Sequence, residues 1–169
     1  MPIINIQIST EINPKQAAKI ARGSTRIMAD ILNKDMQLTA VTIHSISKSN
    51  WYIGAIDLEE KQTDSAFIDI KISENSNTSN EKSSAIRAFY ALLEEVIGPI
   101  DNTSYVCLHE IPKTDWGYGG KTQEARRIKR NNIGSIDTAF YLEKGKKERS
   151  QRFIGALTRQ LGNIKKSII

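Results

Sequence analysis

Apolar and polar residues alternate along residues 2–8, at the start of the chain. Pro2, Ile4, Ile6 and Ile8 occupy every second position of this stretch, with polar residues at two of the three positions between them. A period of two residues is typical of a β-strand with one buried side. We therefore expect a strand at the start of the chain, with these four side chains on its buried face.

A longer period follows, which predicts a helix, and a second strand comes after it. Asn13 and Pro14 are suited to the N-cap and the first turn of a helix. Apolar and small residues then recur every three to four positions over residues 17–31, as in an amphipathic helix. Gly23 either weakens this helix or marks a close approach to the sheet. Residues 38–46 form the second strand of the prediction, and the order strand, helix, strand predicts a right-handed crossover between parallel strands.

The same order recurs in the second half of the chain. Residues 66–73 resemble residues 2–9 at an offset of 64, and a helical stripe over 86–97 and a strand over 105–111 follow. A longer match links the stretch from His44 to Gly54 with the stretch from His109 to Gly119. The offset is 65, and His, Ile, Lys, Trp and Gly coincide between the two stretches. Self-similarity of this kind indicates a duplicated β-α-β unit.

These patterns predict an α/β (α+β) fold. Two tandem β-α-β units, residues 1–60 and 66–120, form a four-stranded sheet with two helices on one face. Residues 121–169 form a basic, helical C-terminal tail outside this domain. The sheet face away from the helices carries both polar and apolar residues, and copies of the same chain would cover it most simply. We therefore expect self-association.

Composition and charge narrow the class of protein. The one cysteine, Cys107, excludes an internal disulfide and fits a reducing compartment. No apolar run approaches the roughly 20 residues that a membrane-spanning helix needs, and no signal peptide opens the chain, so a cytoplasmic location is expected. Residues 1–120 contain 11 Lys and Arg against 15 Asp and Glu, whereas residues 121–169 contain 13 against 4. The basic character therefore belongs to the tail.

The tail has a second property besides its charge. Its sequence places apolar residues on one helical stripe and Lys and Arg on the other side; the stripe comprises Phe153, Leu157, Leu161, Ile164 and Ile168. A basic amphipathic helix is suited to an anionic membrane, to a protein partner, or to the acidic body of its own chain. Nucleic acid is not the expected partner, because few aromatic residues are interleaved with the basic ones.

Pro2 offers chemistry as well as strand formation. Removal of Met1 would leave Pro2 with a free secondary amine. An α-amino group has a pKa of about 7.7–8.0, and a dry pocket lowers that value, so the amine would act as a general base near neutral pH. The alternative is that Pro2 only permits entry into the strand.

Pro2 at the head of a β-α-β unit, the duplication of that unit, and a Trp-x-x-Gly hairpin ending each copy together resemble the tautomerase superfamily. This superfamily includes 4-oxalocrotonate tautomerase and its fused relatives, and the resemblance covers roughly residues 2–120. It implies a trimer of two-unit chains and a cofactor-independent tautomerase (isomerase) that uses Pro2 as catalytic base or acid on a 2-oxo acid or its enol. No metal or cofactor is implied. Ala66 replaces Pro2 in the second copy, so each chain would hold one catalytic amine.

The resemblance also suggests substrate-binding residues around Pro2. Trp51 and Trp116 stand where the family has an aromatic wall, and Tyr105 offers a hydroxyl to an enolate oxygen. The alternative roles are anchoring of the two hairpins in the trimer contact for the tryptophans and packing for Tyr105.

The sequence departs from the family at its substrate-binding arginines. Members that act on dicarboxylate-like substrates commonly carry one arginine just after the first strand, where this chain has Glu11 and Ile12. A substrate carboxylate would then need backbone N–H groups or lysines such as Lys48 or Lys113. A non-catalytic trimeric module that presents the basic helix to a membrane or protein partner is the alternative function.

Overall fold

The computed structural model describes residues 2–127, 135–147 and 149–150, and the chain divides into two compact units, Met1–Gln123 and Glu124–Ile169. Its elements, in chain order, are β1 (Ile3–Ile8), α1 (Pro14–Asp30), β2 (Ala40–Ser45), β3 (Tyr52–Ile53), β4 (Ile56–Asp57), β5 (Ala66–Ser73), α2 (Ser79–Ile97), β6 (Tyr105–Ile111), β7 (Gly117–Tyr118), β8 (Lys121–Thr122) and α3 (Gln123–Arg127).

The first unit has the predicted architecture. A four-stranded sheet has the order β2-β1-β5-β6, with β1 parallel to β2 and β5 parallel to β6. The central pair, β1 and β5, is antiparallel, with Ile3 opposite Lys71 and Ile8 opposite Ala66. The second β-α-β unit is therefore reversed relative to the first, and the equivalent residues Pro2 and Ala66 lie at opposite ends of the sheet.

Both long helices begin with a capping box, which fixes where the chain turns from strand to helix. The side chain of Asn13 accepts the N–H of Gln16, and the Gln16 side chain accepts the N–H of Asn13. Thr78 and Glu81 form the same reciprocal pair at the start of α2. These bonds satisfy backbone donors that the first turn of a helix leaves unpaired.

The helices cover one face of the sheet and close the hydrophobic core. The core side chains from the central strands and the two helices include Ile4, Ile6, Ile8, Ile68, Ile70, Ile72, Ile20, Met28, Phe89 and Leu93. The alternation predicted for residues 2–8 is confirmed, since Ile4, Ile6 and Ile8 are fully buried. Gly23 marks the approach of the other helix rather than of the sheet, because a Cβ added there would lie 2.5 Å from Cδ1 of Leu92.

The other face of the sheet, which we call the open face, is turned away from α1 and α2. By strand register it comprises Ile3, Asn5, Gln7, Ala40, Thr42, His44, Phe67, Asp69, Lys71, Tyr105, Cys107 and His109. Asp69 lies between two basic side chains there: Nε2 of His109 is 3.0 Å from its Oδ1, and Nζ of Lys71 pairs with its Oδ2. The two histidines of the repeat thus differ in environment, since His44 lies on β2 at the opposite corner of the face.

The described part of the second unit is helical over residues 138–147. Asp137 accepts the N–H of Phe140 at the start of this helix, and the Tyr141 hydroxyl donates to the carbonyl of Arg127 at 2.6 Å. The predicted apolar stripe from Phe153 to Ile168 lies outside the described residues. Over the described ranges, no helix has both the length and the apolar character needed to cross a membrane.

Candidate active site

Pro2 is buried at one end of the sheet, directly before β1. Its carbonyl accepts the N–H of Ala40 at 3.3 Å, which holds it beside the start of β2. The same end of the sheet contains the last residues of β5 and β6, since Ser73 is paired with Ile111. We call this end of the sheet the Pro2 end.

We call the opposite end of the sheet the Ala66 end. There, at the position that corresponds to Pro2 of the first unit, the chain forms a hydrogen-bond network. The N–H of Ala66 donates to Oγ of Ser104 at 3.1 Å, and the N–H of Ser65 donates to Oγ of Ser9 at 2.8 Å. Ser65 and Ser104 also join their hydroxyls at 3.2 Å. The nitrogen of Ala66 is therefore a bonded amide and offers no basic lone pair.

Trp51 and Tyr105 lie toward the Ala66 end of their own chain. The segment with Trp51 follows β2, whose last backbone bond runs from Ile46 N–H to Ile8 O at 2.8 Å. Tyr105 is the first residue of β6, opposite Phe67, and 62% of its surface is exposed. At about 3.3 Å per residue, Tyr105 is roughly 17 Å along the strands from Pro2, and Trp51 lies beyond the far end of β2. One chain alone does not bring them to its Pro2.

Trp116 lies beyond the Pro2 end of β6. The N–H of Glu74 donates to the carbonyl of Ile111 at 3.0 Å, which ties this end of β6 to β5. Trp116 then precedes the hairpin of β7 and β8 and accepts the N–H of Gln123 on its carbonyl at 3.0 Å. Of the four candidate residues, Pro2 and Trp116 therefore belong to the same end of the sheet.

The hairpin borders a groove of about 300 Å³, lined by Thr114, Asp115, Trp116, Gly117, Tyr118, Gly120, Lys121 and Thr122. Trp116 Nε1 and Gln123 Nε2 are shielded from solvent and have no acceptor within the part of the chain that the structure describes. Sequence reasoning missed Gln123. The signal was present, because Gln123 follows the second strand of a hairpin and so stands opposite Trp116.

A partly buried lysine also lies at the Pro2 end. Lys34 follows α1, and its Nζ donates to Oγ of Ser76, just beyond β5, at 2.9 Å. Burial lowers the pKa of the Lys34 amine, while the carboxylates of Glu81 and Glu110 act in the opposite direction. Sequence reasoning missed Lys34 because it reads as part of a helix-ending Asn-Lys-Asp segment.

The two lysines considered from the sequence are placed differently. Lys48 is at the Ala66 end, where its Nζ pairs with Oδ1 of Asp64 at 3.1 Å. Lys113 follows β6 at the Pro2 end. Among residues 2–127 and the described part of the second unit, no three His, Cys, Asp or Glu side chains group as metal ligands.

Known proteins are similar to this chain in sequence and in fold. No protein-family model matches the chain. A curated relative from Dickeya dadantii (strain 3937), named "Probable tautomerase K2", is 30% identical over 63 residues, which are 37% of this chain and 94% of that protein. A fused 4-OT asymmetric trimer has 17% identity and a TM-score of 0.65, with 73% of this chain and 98% of that chain covered.

A further solved structure is of Pt0534 inactivated by 2-oxo-3-pentynoate, with 15% identity, a TM-score of 0.65, and the same two coverages of 73% and 98%. At these identities the solved structures establish the fold alone, whereas the curated relative is matched over nearly its whole length. Three findings indicate the same family: the duplicated unit, the sheet with its reversed halves, and this relative. The chain belongs to the tautomerase superfamily.

Proposed function

We propose that this chain is a cofactor-independent tautomerase that acts on a 2-oxo acid or its enol through the amine of Pro2. The observation that carries the proposal is the burial of Pro2 at the head of β1 in a member of this superfamily. Removal of Met1 would expose a secondary amine in surroundings poor in water. Desolvation disfavours the charged form, so such an amine is neutral near pH 7 and accepts a proton.

The proton transfer balances within the substrate and this one amine. In the direction from enol to ketone, the amine takes the proton of the enol hydroxyl and returns a proton to the neighbouring carbon. In the reverse direction it removes the proton from that carbon, and the oxygen is protonated. A donor directed at the oxygen would stabilise the enolate that forms between the two transfers.

Lys34 and Lys113 both lie at the Pro2 end, and we expect the partly buried Lys34 to receive the substrate carboxylate. It stands at the Pro2 end, whereas Lys48 is paired with Asp64 at the other end. Its partial burial would strengthen a charge pair relative to one in open water. This lysine would take over the part that arginine plays in relatives that act on dicarboxylate-like substrates.

A homotrimer completes the proposal. The fused 4-OT structure is of a trimer, and the open face of this chain exposes apolar residues such as Ile3 and Tyr105. Because Trp51 and Tyr105 lie far from Pro2 in their own chain, they would reach the Pro2 of a second copy. The cytoplasmic location expected from the sequence stays a prediction.

The first test asks whether Pro2 carries a reactive amine. We expect intact mass to show loss of Met1, and 2-oxo-3-pentynoate to modify the chain at Pro2. Pro2→Ala should slow ketonisation of phenylenolpyruvate by at least about 100-fold, the usual range for loss of a general base. Pro99→Ala, a change of the same kind at an exposed loop, should leave the rate unchanged.

In the same assay, Lys34→Gln should raise KM more than Lys48→Gln does. Retention of Met1, or an amine of Pro2 that titrates like an exposed one in NMR, would contradict the proposal. Either result would favour the non-catalytic module with a basic helix. Unchanged size-exclusion behaviour of Pro2→Ala would show that a lost rate does not come from lost assembly.

A further inference from the structure

The second unit of the chain holds its excess of positive charge. Residues 124–169 contain 12 Lys and Arg against 4 Asp and Glu, whereas residues 1–123 contain 12 against 15. The formal net charge is therefore +8 for the second unit and −3 for the first. A unit with so large a charge of one sign attracts an anionic surface or polymer.

The helix over residues 138–147 exposes apolar and basic side chains together. Leu142 is 64% exposed, and Ile136, just before the helix, is 49% exposed. Leu142 is three residues from Ala139 and four from Lys146, so the three side chains share one side of the helix. All three are exposed, and the exposed Lys147 follows directly. We call Ala139, Leu142 and Lys146 the exposed helix side.

The aromatic residues of the same helix have partners within the second unit. Phe140 and Tyr141 are half-buried, and their rings meet edge to face with centroids 5.2 Å apart. The Tyr141 hydroxyl donates to the carbonyl of Arg127 at 2.6 Å. The helix therefore has a side that packs on its own unit, and Leu142 belongs to the side that does not.

This combination favours an anionic membrane over nucleic acid. Nucleic acid binds cations together with aromatic side chains on which its bases stack, and the exposed helix side is aliphatic. The interface of an anionic bilayer attracts lysines and also takes up aliphatic side chains. The sequence beyond the described residues has the same character, since residues 151–169 contain four Lys and Arg, seven Phe, Ile and Leu, and no Asp or Glu.

We propose that the second unit binds the surface of an anionic phospholipid membrane through the exposed helix side. The ammonium groups of Lys146 and Lys147 pair with the anionic headgroups, and Leu142 enters the boundary between headgroups and acyl chains. The helix lies in the plane of the interface and does not cross the bilayer. Because the amine of Pro2 takes no part, this surface is independent of the proposed function.

Sedimentation of the full chain with lipid vesicles tests the proposal. One set of vesicles is phosphatidylcholine alone, and the other contains about one third phosphatidylserine. We expect the Kd for lipid to be at least about tenfold lower with the anionic vesicles, because each lysine near the surface adds to the attraction. Added salt should weaken this binding, because it screens the charges.

A pair of matched variants locates the surface. Lys146→Glu combined with Lys147→Glu should raise the Kd for anionic vesicles at least about tenfold. Lys15→Glu combined with Lys61→Glu makes the same charge change at two exposed lysines of the first unit and should not change the Kd. Leu142→Ser should raise the Kd at least about threefold and leave its salt dependence as it is, because it removes apolar contact and no charge.

Three results would overturn the proposal. In the first, the parent chain binds both kinds of vesicle alike or binds neither, as it would if the second unit were neutralised by the acidic first unit. In the second, the two charge-reversed variants bind equally. In the third, a single-stranded RNA oligonucleotide displaces the chain from anionic vesicles, which would make nucleic acid the partner. Pro2→Ala should bind vesicles like the parent chain, so a failure of membrane binding and a failure of the tautomerase activity are told apart.

Discussion

Pro2 and Ala66 hold equivalent positions in the repeated unit, yet their nitrogens have different chemistry. The amide nitrogen of Ala66 lies inside the chain and donates to Ser104, and a peptide nitrogen has no lone pair available for a proton. Pro2 has a free amine once Met1 is removed. The duplication therefore provides two similar strand starts, of which one can serve as a base and the other is part of a structural network.

Loss of the Ser104 hydroxyl should destabilise the fold without affecting catalysis. Ser104→Ala removes the acceptor of Ala66 N–H and the partner of the Ser65 hydroxyl, so we expect the free energy of unfolding to fall by about 1–3 kcal/mol. Ser49→Ala, which removes an exposed hydroxyl, should have little effect. Urea unfolding measures the difference, and equal midpoints for the two variants would contradict this role.

At the scale of elements, periodicity predicted both helices, all four sheet strands and the side of β1 that is buried. It placed the second strand at residues 38–46, whereas a 3-10 helix occupies Met36–Leu38 and β2 begins at Ala40. The antiparallel pairing of β1 with β5 was not predicted, because the local sequence does not determine whether two strands far apart in the chain pair in the same or in opposite directions. For the same reason the sequence could not tell that Trp116 shares an end with Pro2 and that Trp51 does not.

The capping box of α2 gives stability that depends on pH. Glu81 accepts the N–H of Thr78 and a bond from Asn77, and these bonds lower the pKa of its carboxyl. A lowered pKa in the folded state means that the contribution is present above the unfolded pKa and is lost as the pH falls through the folded value.

Glu81→Gln should therefore be less stable than the parent chain at pH 7, and this difference should shrink as the pH falls below about 4, where an unperturbed Glu carboxyl begins to be protonated. Glu94→Gln makes the same charge change within α2 and serves as control. Urea titrations at pH 7, 5 and 3 measure both variants. A difference that stays constant across this range would argue against the cap as its source.

At the scale of the whole molecule, the open face is a surface that a partner could bury. It combines apolar side chains with the Asp69, Lys71 and His109 group, and no element of its own unit lies over it. Contact with further copies would bury these side chains and would bring the Trp51 and Tyr105 of one chain toward the Pro2 of another.

A charge placed on the open face should break the proposed homotrimer. Ile3 and Ile86 are matched in size and in exposure, 36% and 39%, but Ile86 is on α2 rather than on the open face. Ile3→Asp should give a monomer in sedimentation velocity, because burying an unpaired carboxylate in an interface is costly. Ile86→Asp should sediment like the parent chain, and the same behaviour from both variants would exclude the open face as the interface.

The reversed pairing of the two halves also sets the order in which the chain can fold during synthesis. β2 reaches β1 once residue 45 has left the ribosome, but the partner of Ile3 on the other side is Lys71. Until then one edge of β1, with its three fully buried isoleucines, has no neighbour. The first half of the nascent chain therefore exposes an unpaired strand edge, which can pair with the wrong strands. This lasts until the second half emerges and supplies the other side of the sheet.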